Sequence, residues 1–406
     1  MKLSLGRASL VALVLAIAAG AATASCADSD VQPFTPPPDG GDATVPEANV
    51  DGGVDADASA PDASARTCSI HGFCRTILPA AQTLRGVWGD GSGVVWAVST
   101  QGNVLRWDGN AWKVHASDLG SLSAIWGSGP TDVWVGGERG IFHGTGASSA
   151  GLEFRPSSLP GAAPTRVSSI WGASATDLWA VGRMEDLDTG EPLGRVLHYA
   201  GGGDAGATWA LDDASNAGLK YTHVWGSAGS GVWIAGTRPI PDELYEEMVV
   251  LRKNGAGAFV AETLPEDGQP FPFGVLSSVH GVAAVSDSLV WIYGRATVGR
   301  PGIWKGTSTD SGKTFAFTYI ADGKAVDPLW SALSATGPND AWVVGEYGRV
   351  RHWDGSDWAT AAITTTNVPI IDPFYGVWSD GSSQVWLVGD AIALRYDPTQ
   401  VQEGAP

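Results

Sequence analysis

Four arginines recur at one place in four consecutive repeats of this 406-residue chain: Arg139, Arg183, Arg238 and Arg295 each follow a Trp-centred apolar run by a few residues. A guanidinium presents a planar fork of N–H donors, which matches the two oxygens of a carboxylate or phosphate. Glu138, Glu346, Tyr347 and Asp390 fall at the same level of their own repeats. A ring of Arg139, Arg183, Arg238, Arg295, Glu346 and Tyr347 would suit an anionic ligand or an acidic partner. Local pairing competes with that reading. Glu185, Asp186, Asp188 and Glu191 are close in sequence to Arg183, and Asp242, Glu243, Glu246 and Glu247 are close to Arg238. With Lys+Arg 24 against Asp+Glu 43, a net charge of −19, the acidity of the chain favours pairing.

Catalytic chemistry has less to work with. There is no G-x-S-x-G, H-E-x-x-H or P-loop pattern, and the seven His are scattered. No cofactor or metal site is expected. Two carboxylates such as Glu138 and Glu346 would serve a glycan-acting hydrolase or lyase only if they met within about 10 Å of each other. The net charge opposes binding to nucleic acid or to an anionic membrane surface. The leading expectation is therefore a non-catalytic, monomeric binding or scaffold module for an envelope protein or glycan. The alternative is the glycan-acting enzyme with funnel carboxylates.

The elements that must position these residues are written in a repeat. The segments VWGDGSGVVWAV (87–98), IWGSGPTDVWVG (125–136), IWGASATDLWAVG (170–182), VWGSAGSGVWIAG (224–236) and VWSDGSSQVWLVG (377–389) are strong copies. VAAVSDSLVWIYG (282–294) and LSATGPNDAWVVG (333–345) are weaker. A second Trp is present in all seven, at 96, 134, 179, 233, 291, 342 and 386; the first is present in five and is replaced by Ala283 and Ser334 in the weak copies. Each unit reads as four short strands: one ending at Trp-Gly, an apolar one around the second Trp, and two joined by turns such as Asp108-Gly109 and Asp354-Gly355. Four strands per 40–58 residues or so predict an all-β fold, a seven-bladed β-propeller of four-stranded antiparallel blades. A Trp needed once per blade fills the same gap each time, so the repeated Trps are expected to pack. Trp209, Trp304 and Trp330 lie outside that pattern and are also expected to pack. Asp132, Asp177 and Asp340, two residues before a second Trp, are expected to cap turns.

The last unit stops after its third strand, at Ala393-Leu394-Arg395-Tyr396-Asp397. Upstream of the first unit, FCRTILP (73–79) matches the fourth-strand ends FRPSSLP (154–160) and FVAETLP (259–265). The N-terminal strand is thus expected to close the last blade.

Residues 308–315, S-T-D-S-G-K-T-F, resemble the Asp-box of the BNR-type propellers, a family that includes sialidases and photosystem assembly factors. Residues 202–209, G-G-D-A-G-A-T-W, resemble a degenerate copy, and the W-D-G-x-x-W stretches at 107–112 and 353–358 occupy the same turn. The resemblance implies that the Asp of the box caps the turn between third and fourth strands. Sialidase chemistry does not carry over, since Arg300-Pro301-Gly302 departs from Arg-Ile-Pro and seven blades depart from six. The repeat as a whole is similar to Trp-rich propeller lipoproteins of δ-proteobacteria. The resemblance covers roughly residues 73–397.

The N-terminus reads as an export signal: Lys2 and Arg7, then an apolar stretch from Ala8 to Ala22 that is short for a membrane span. Thr23-Ala24-Ser25-Cys26 resembles a bacterial lipobox, with Thr23 where Leu is usual. Residues 1–25 are expected to be a lipoprotein signal peptide and Cys26 the lipidated residue. Ala27 rather than Asp follows it, which favours the outer membrane. Residues 26–66 carry nine acids, one base and a single aromatic, Phe34, and so read as a disordered linker. The propeller is assigned to 67–406. Cys68 and Cys74 are expected to form a disulfide.

Overall fold

The structure is a computed structural model that describes residues 67–161, 165–186, 190–201, 208–240, 246–265, 276–296, 301–320, 330–365, 368–381 and 384–402. The expected signal peptide, Cys26 and the linker lie outside the described residues, as do residues 202–207 of the degenerate Asp-box.

The described strands form seven antiparallel sheets of four main strands, one of them with a short fifth strand, Asn216–Ala217, and a separate two-stranded ladder of Thr364–Thr365 with Val368–Pro369. The first strands, Leu84–Gly89, Leu122–Gly129, Arg166–Ser174, Lys220–Ser227, Leu276–Ser286, Trp330–Gly337 and Phe374–Ser379, are each neighbours of the next, and the last neighbours the first. The sheets are thus the blades of a closed ring, numbered 1 to 7 in that order. Six blades take four consecutive strands; blade 7 takes Phe374–Ser379, Val385–Gly389, Ala393–Val401 and, on its outer edge, the N-terminal strand His71–Arg75. Phe73 pairs with Tyr396 and Cys74 with Arg395, the closure expected from the missing strand. A disulfide joins Cys68, before that strand, to Cys74 within it.

The core is not axial. Buried side chains gather into seven clusters, and each cluster lies at one seam between adjacent blades. The apolar second strands explain this. Val95–Ser99 and Val385–Gly389 are buried at every position, because each is covered on both faces by a neighbouring sheet.

Three contacts recur from blade to blade, two at the seams and one within each sheet. The first uses the Trp-Gly pair. The Trp88 ring lies over Gly127 of the next blade, where a Cβ would sit 2.6 Å from it; Trp126 covers Gly172, Trp171 covers Gly226 and Trp378 covers Gly89 in the same way, at 2.5–2.8 Å. Glycine follows the first Trp because the preceding blade's ring takes the space of a side chain. Where the preceding blade lacks that ring, the glycine is replaced as well: Ala335 follows blade 5 with Ala283, and Ser379 follows blade 6 with Ser334. Ala284, after Trp225, is the one position that keeps a Cβ beside a Trp-bearing blade.

The second contact is an aromatic on or beside the fourth strand, placed edge-on against the second Trp of the preceding blade. Phe154 meets Trp96, Trp209 meets Trp134, Phe259 meets Trp179, Phe315 meets Trp233, Trp358 meets Trp291 and Trp112 meets Trp386, with interplanar angles of 70–83°. Phe73 meets Trp342 at 81°, so the N-terminal strand does for blade 6 what every other fourth strand does for its neighbour. Trp304 and Trp330 are buried as well.

The third contact is within the blade. A basic residue faces every second Trp across the second and third strands: Arg106, His143, His198, Arg252, Lys305, His352 and Arg395. Where it is His, the imidazole stacks on the Trp at 3.6–4.0 Å and its Nε2 meets an Asp: His143 with Asp132, His198 with Asp177, His352 with Asp340, at 2.5–2.8 Å. These three Asp were expected to cap turns. Each also orients a stacked His, while Ser128 and Thr336 donate to Asp132 and Asp340 across the first-to-second-strand turn. The histidine bond and burial act oppositely on Asp340, and the net is a carboxyl held below its usual range.

Candidate functional site

A four-stranded blade has two loop ends. One carries the turns between first and second and between third and fourth strands. The Asp-box-like stretch 308–315 lies here, between Pro301–Thr307 and Ala316–Ile320. Asp310 Oδ1 accepts from the amides of Lys313 and Thr314 at 3.0 and 2.9 Å, and Thr314 Oγ1 donates to Oδ2 at 2.7 Å. Those bonds, Thr314's first, hold the carboxyl well below the usual carboxylate range. Asp108 and Asp354 accept two amides each in the W-D-G turns. The box also braces a seam: Arg252 of blade 4 donates to the carbonyls of Gly312 and Lys313 at 2.8 Å. Its chemistry is fully used in capping and docking.

The opposite end carries the second-to-third-strand turns and the inter-blade connections, and the candidate ligand residues are strung around it, one or two to a blade. Arg139 Nη1 donates to the Asp118 carbonyl at 2.9 Å, and its stem runs across Gly120, where a Cβ would meet it at 2.8 Å. Arg183 lies at the end of Asp177–Glu185 and helps to hold down the Glu246 carboxyl, after Lys220, the largest influence, and Thr237. Arg238 pairs with Glu247. Arg295 lies in Leu289–Ala296; its side chain lies outside the described residues. Asp390 accepts from Thr83 Oγ1 at 2.8 Å, across the seam between blades 7 and 1. Glu138 is exposed, its amide bonded to the Ser121 carbonyl.

Glu346 and Tyr347 belong to a tight turn, Glu346–Gly348, equivalent to Glu138-Arg139-Gly140 in blade 2. Tyr347 is left-handed at φ 56°, a region that a bulky side chain seldom enters. Gly348, left-handed as well, is pinned beside it, since a Cβ there would lie 1.9 Å from the Ile370 carbonyl. The Tyr347 ring is 62% exposed with the Arg349 guanidinium 5.8 Å from its centre. Ile371 and Ile77, 70% and 87% exposed, stand at the same end, where Arg75 and Asp372 pair at 3.4 Å.

The axis holds a channel of about 360 Å³, lined by first strands from all seven blades. Every first strand carries a bulge three residues before its first-Trp position, at Arg85, Ser123, Ser168, Thr222, His280, Ser331 and Tyr375. A bulge re-aims a side chain, and six of these seven line the channel. The Arg85 guanidinium lies over the Tyr375 ring at 3.9 Å. His280 Nε2 bonds Ser278 Oγ at 2.7 Å, and His223 Nδ1 bonds Thr222 Oγ1 at 3.0 Å. Burial, with His280 nearby, pushes His223 down to about 4. Sequence reasoning did not single out Arg85, His223, His280 or Tyr375. The available signal was positional, since each lies two or three residues before its repeat's first-Trp position.

The fold and its axial channel make the chain a seven-bladed β-propeller. No family model matches it, and no curated protein matches it. Among solved structures it is similar to YCF48 from Cyanidioschyzon merolae, at 14% identity and a TM-score of 0.57, over 81% of this chain and 99% of that one. It is also similar to YCF48 bound to D1 peptide, at 14% identity and 0.55, over 82% and 99%. The WD40 β-propeller domain of Doa1 follows at 13% and 0.52, over 82% and 99%. At such identities the likeness is one of fold.

Proposed function

We propose that this chain is a lipid-anchored, non-catalytic binding module of the bacterial cell envelope, an Asp-box-type propeller that engages a protein partner through the end bearing Tyr347. The observation that carries the reading is Tyr347 itself: a strained, exposed aromatic with an arginine 5.8 Å from its ring centre. A backbone held in a disfavoured region points to a role for the side chain it displays. A rigid aromatic with a polar tip is the kind of residue that anchors protein interfaces. Ile371 and Ile77 add exposed apolar surface at the same end. Arg139, Arg183, Arg238 and Arg295 form its charged rim; Arg139 and Arg238 are already held, by the Asp118 carbonyl and Glu247, and so cost little to order on binding. The solved YCF48 carries a D1 peptide, which illustrates the same use of the fold in another protein. Among the described residues, no Asp or Glu lines the channel, so an acid pair there has no support.

The chain would be exported by residues 1–25, anchored in the outer membrane through Cys26 and held off the bilayer by the acidic linker to residue 66. The test is site-specific photo-crosslinking in cells, with benzoylphenylalanine at Tyr347 or at Asn110 on the opposite end. A discrete adduct from position 347 and none from 110 is expected; the reverse overturns the reading. Cys26→Ser is expected to release the protein from membranes and to abolish palmitate labelling.

A further inference from the structure

We propose that the axial channel is a binding site for a small multivalent oxyanion, a phosphate or a dicarboxylate, gripped by Arg85. The site is separate from the Tyr347 end, and the proposal does not depend on that reading.

The first argument is charge. The chain carries −19 overall, and acids crowd its loops. The channel inverts that balance. Among the described residues, Arg85 is the one Lys or Arg in its lining, and no carboxylate faces it there. A guanidinium with no described carboxylate beside it makes this wall locally cationic in an acidic chain.

The second argument is geometry. The bulge at Arg85 takes its side chain out of the ladder, and Arg85 is exposed in the channel rather than covered by a sheet. Tyr375, bulged in the adjacent blade 7, lies beneath the guanidinium at 3.9 Å. Stacking uses the face of the fork and leaves its in-plane N–H groups for an acceptor with two oxygens. Ser168, Ser331 and Tyr375 line the same space with hydroxyl groups. A volume of about 360 Å³ admits phosphate or a short dicarboxylate with some of its water.

The experiment is calorimetric titration of the full chain with inorganic phosphate, with malonate and with neutral malonamide, at fixed ionic strength. Binding of phosphate or malonate but not malonamide is expected, and which anion binds more tightly identifies the oxyanion class. Arg85→Gln should weaken binding at least tenfold. Arg85→Lys, which keeps the charge and loses the fork, should fall between. Should Arg85→Gln not fold, Tyr375→Leu serves instead and is expected to weaken binding severalfold with the melting temperature retained. The proposal is overturned if neither anion binds more tightly than malonamide, or if the Arg85 or Tyr375 variant binds like the parent chain.

Discussion

The ring of Phe73 stands edge-on to the ring of Trp342, 5.8 Å between centres and 81° between planes. The first strand of the chain thereby completes the same aromatic contact that six internal strands complete at the other seams.

Phe73→Ala should therefore lower stability by ~3–5 kcal/mol, the range for truncating a buried Phe. Deleting 67–79 should cost several kcal/mol, a large part of an ordinary domain's ~5–15. Deleting 27–66 should leave the urea midpoint unchanged. A 67–79 deletion as stable as the full chain would refute the role given to closure.

Gly127→Ala should destabilise by ~1–3 kcal/mol, because the added methyl meets the Trp88 ring. In a Trp88→Ala background the same substitution should cost less, the remainder coming from the Asp132 carbonyl, 2.9 Å from the added methyl. Urea melts of the four-member cycle measure the coupling, and additive losses would rule out the ring-on-glycine account.

Asp340→Ala should cost ~1–2 kcal/mol by stripping His352 of its acceptor. His352→Ala should then cost less in that background than alone. The folded carboxyl ionises more readily than an ordinary Asp, so its contribution is present above the unfolded value of 3.8 and lost below it. Parent and variant melting curves should converge toward pH 3.

His223 works with the opposite charge. Its folded value is pushed down to about 4 from the ordinary 6.5, so between those values the unfolded chain binds more protons. Stability is complete above about pH 6.5 and falls as pH drops toward 4, by ~1–2 kcal/mol once solvent screening in the open channel is allowed for. His223→Asn should flatten that slope in melts taken from pH 7.5 to 4.5. An unchanged slope would place the titrating group elsewhere.

The repeat made the blades legible because the same gap recurs seven times and the same residue types fill it. Trp96 and its six counterparts are second-strand core residues as expected, and FCRTILP proved to be a fourth strand because Phe73 carries the ring that position requires. The Asp-His pairs were not legible. Asp132 lies 11 residues from His143, Asp177 lies 21 from His198 and Asp340 lies 12 from His352, since the third strand begins after turns of different length. Arg85 and Tyr375 were hidden for a different reason. They meet only after the ring closes, and nothing local in Leu84–Gly89 announces a bulge.

Trp378 on Gly89 gives the ring a direction in time. A chain made from its N-terminus can seat Trp88 on Gly127 as soon as blade 2 follows blade 1, and each later blade likewise completes the one before it. Gly89 has no ring to cover it until residue 378 has been synthesised, and Phe73 has no third strand to join until residue 396 has. The oldest blade thus keeps one face open to water throughout synthesis, and its apolar second strand is the surface most in need of a chaperone's cover until the last thirty residues arrive.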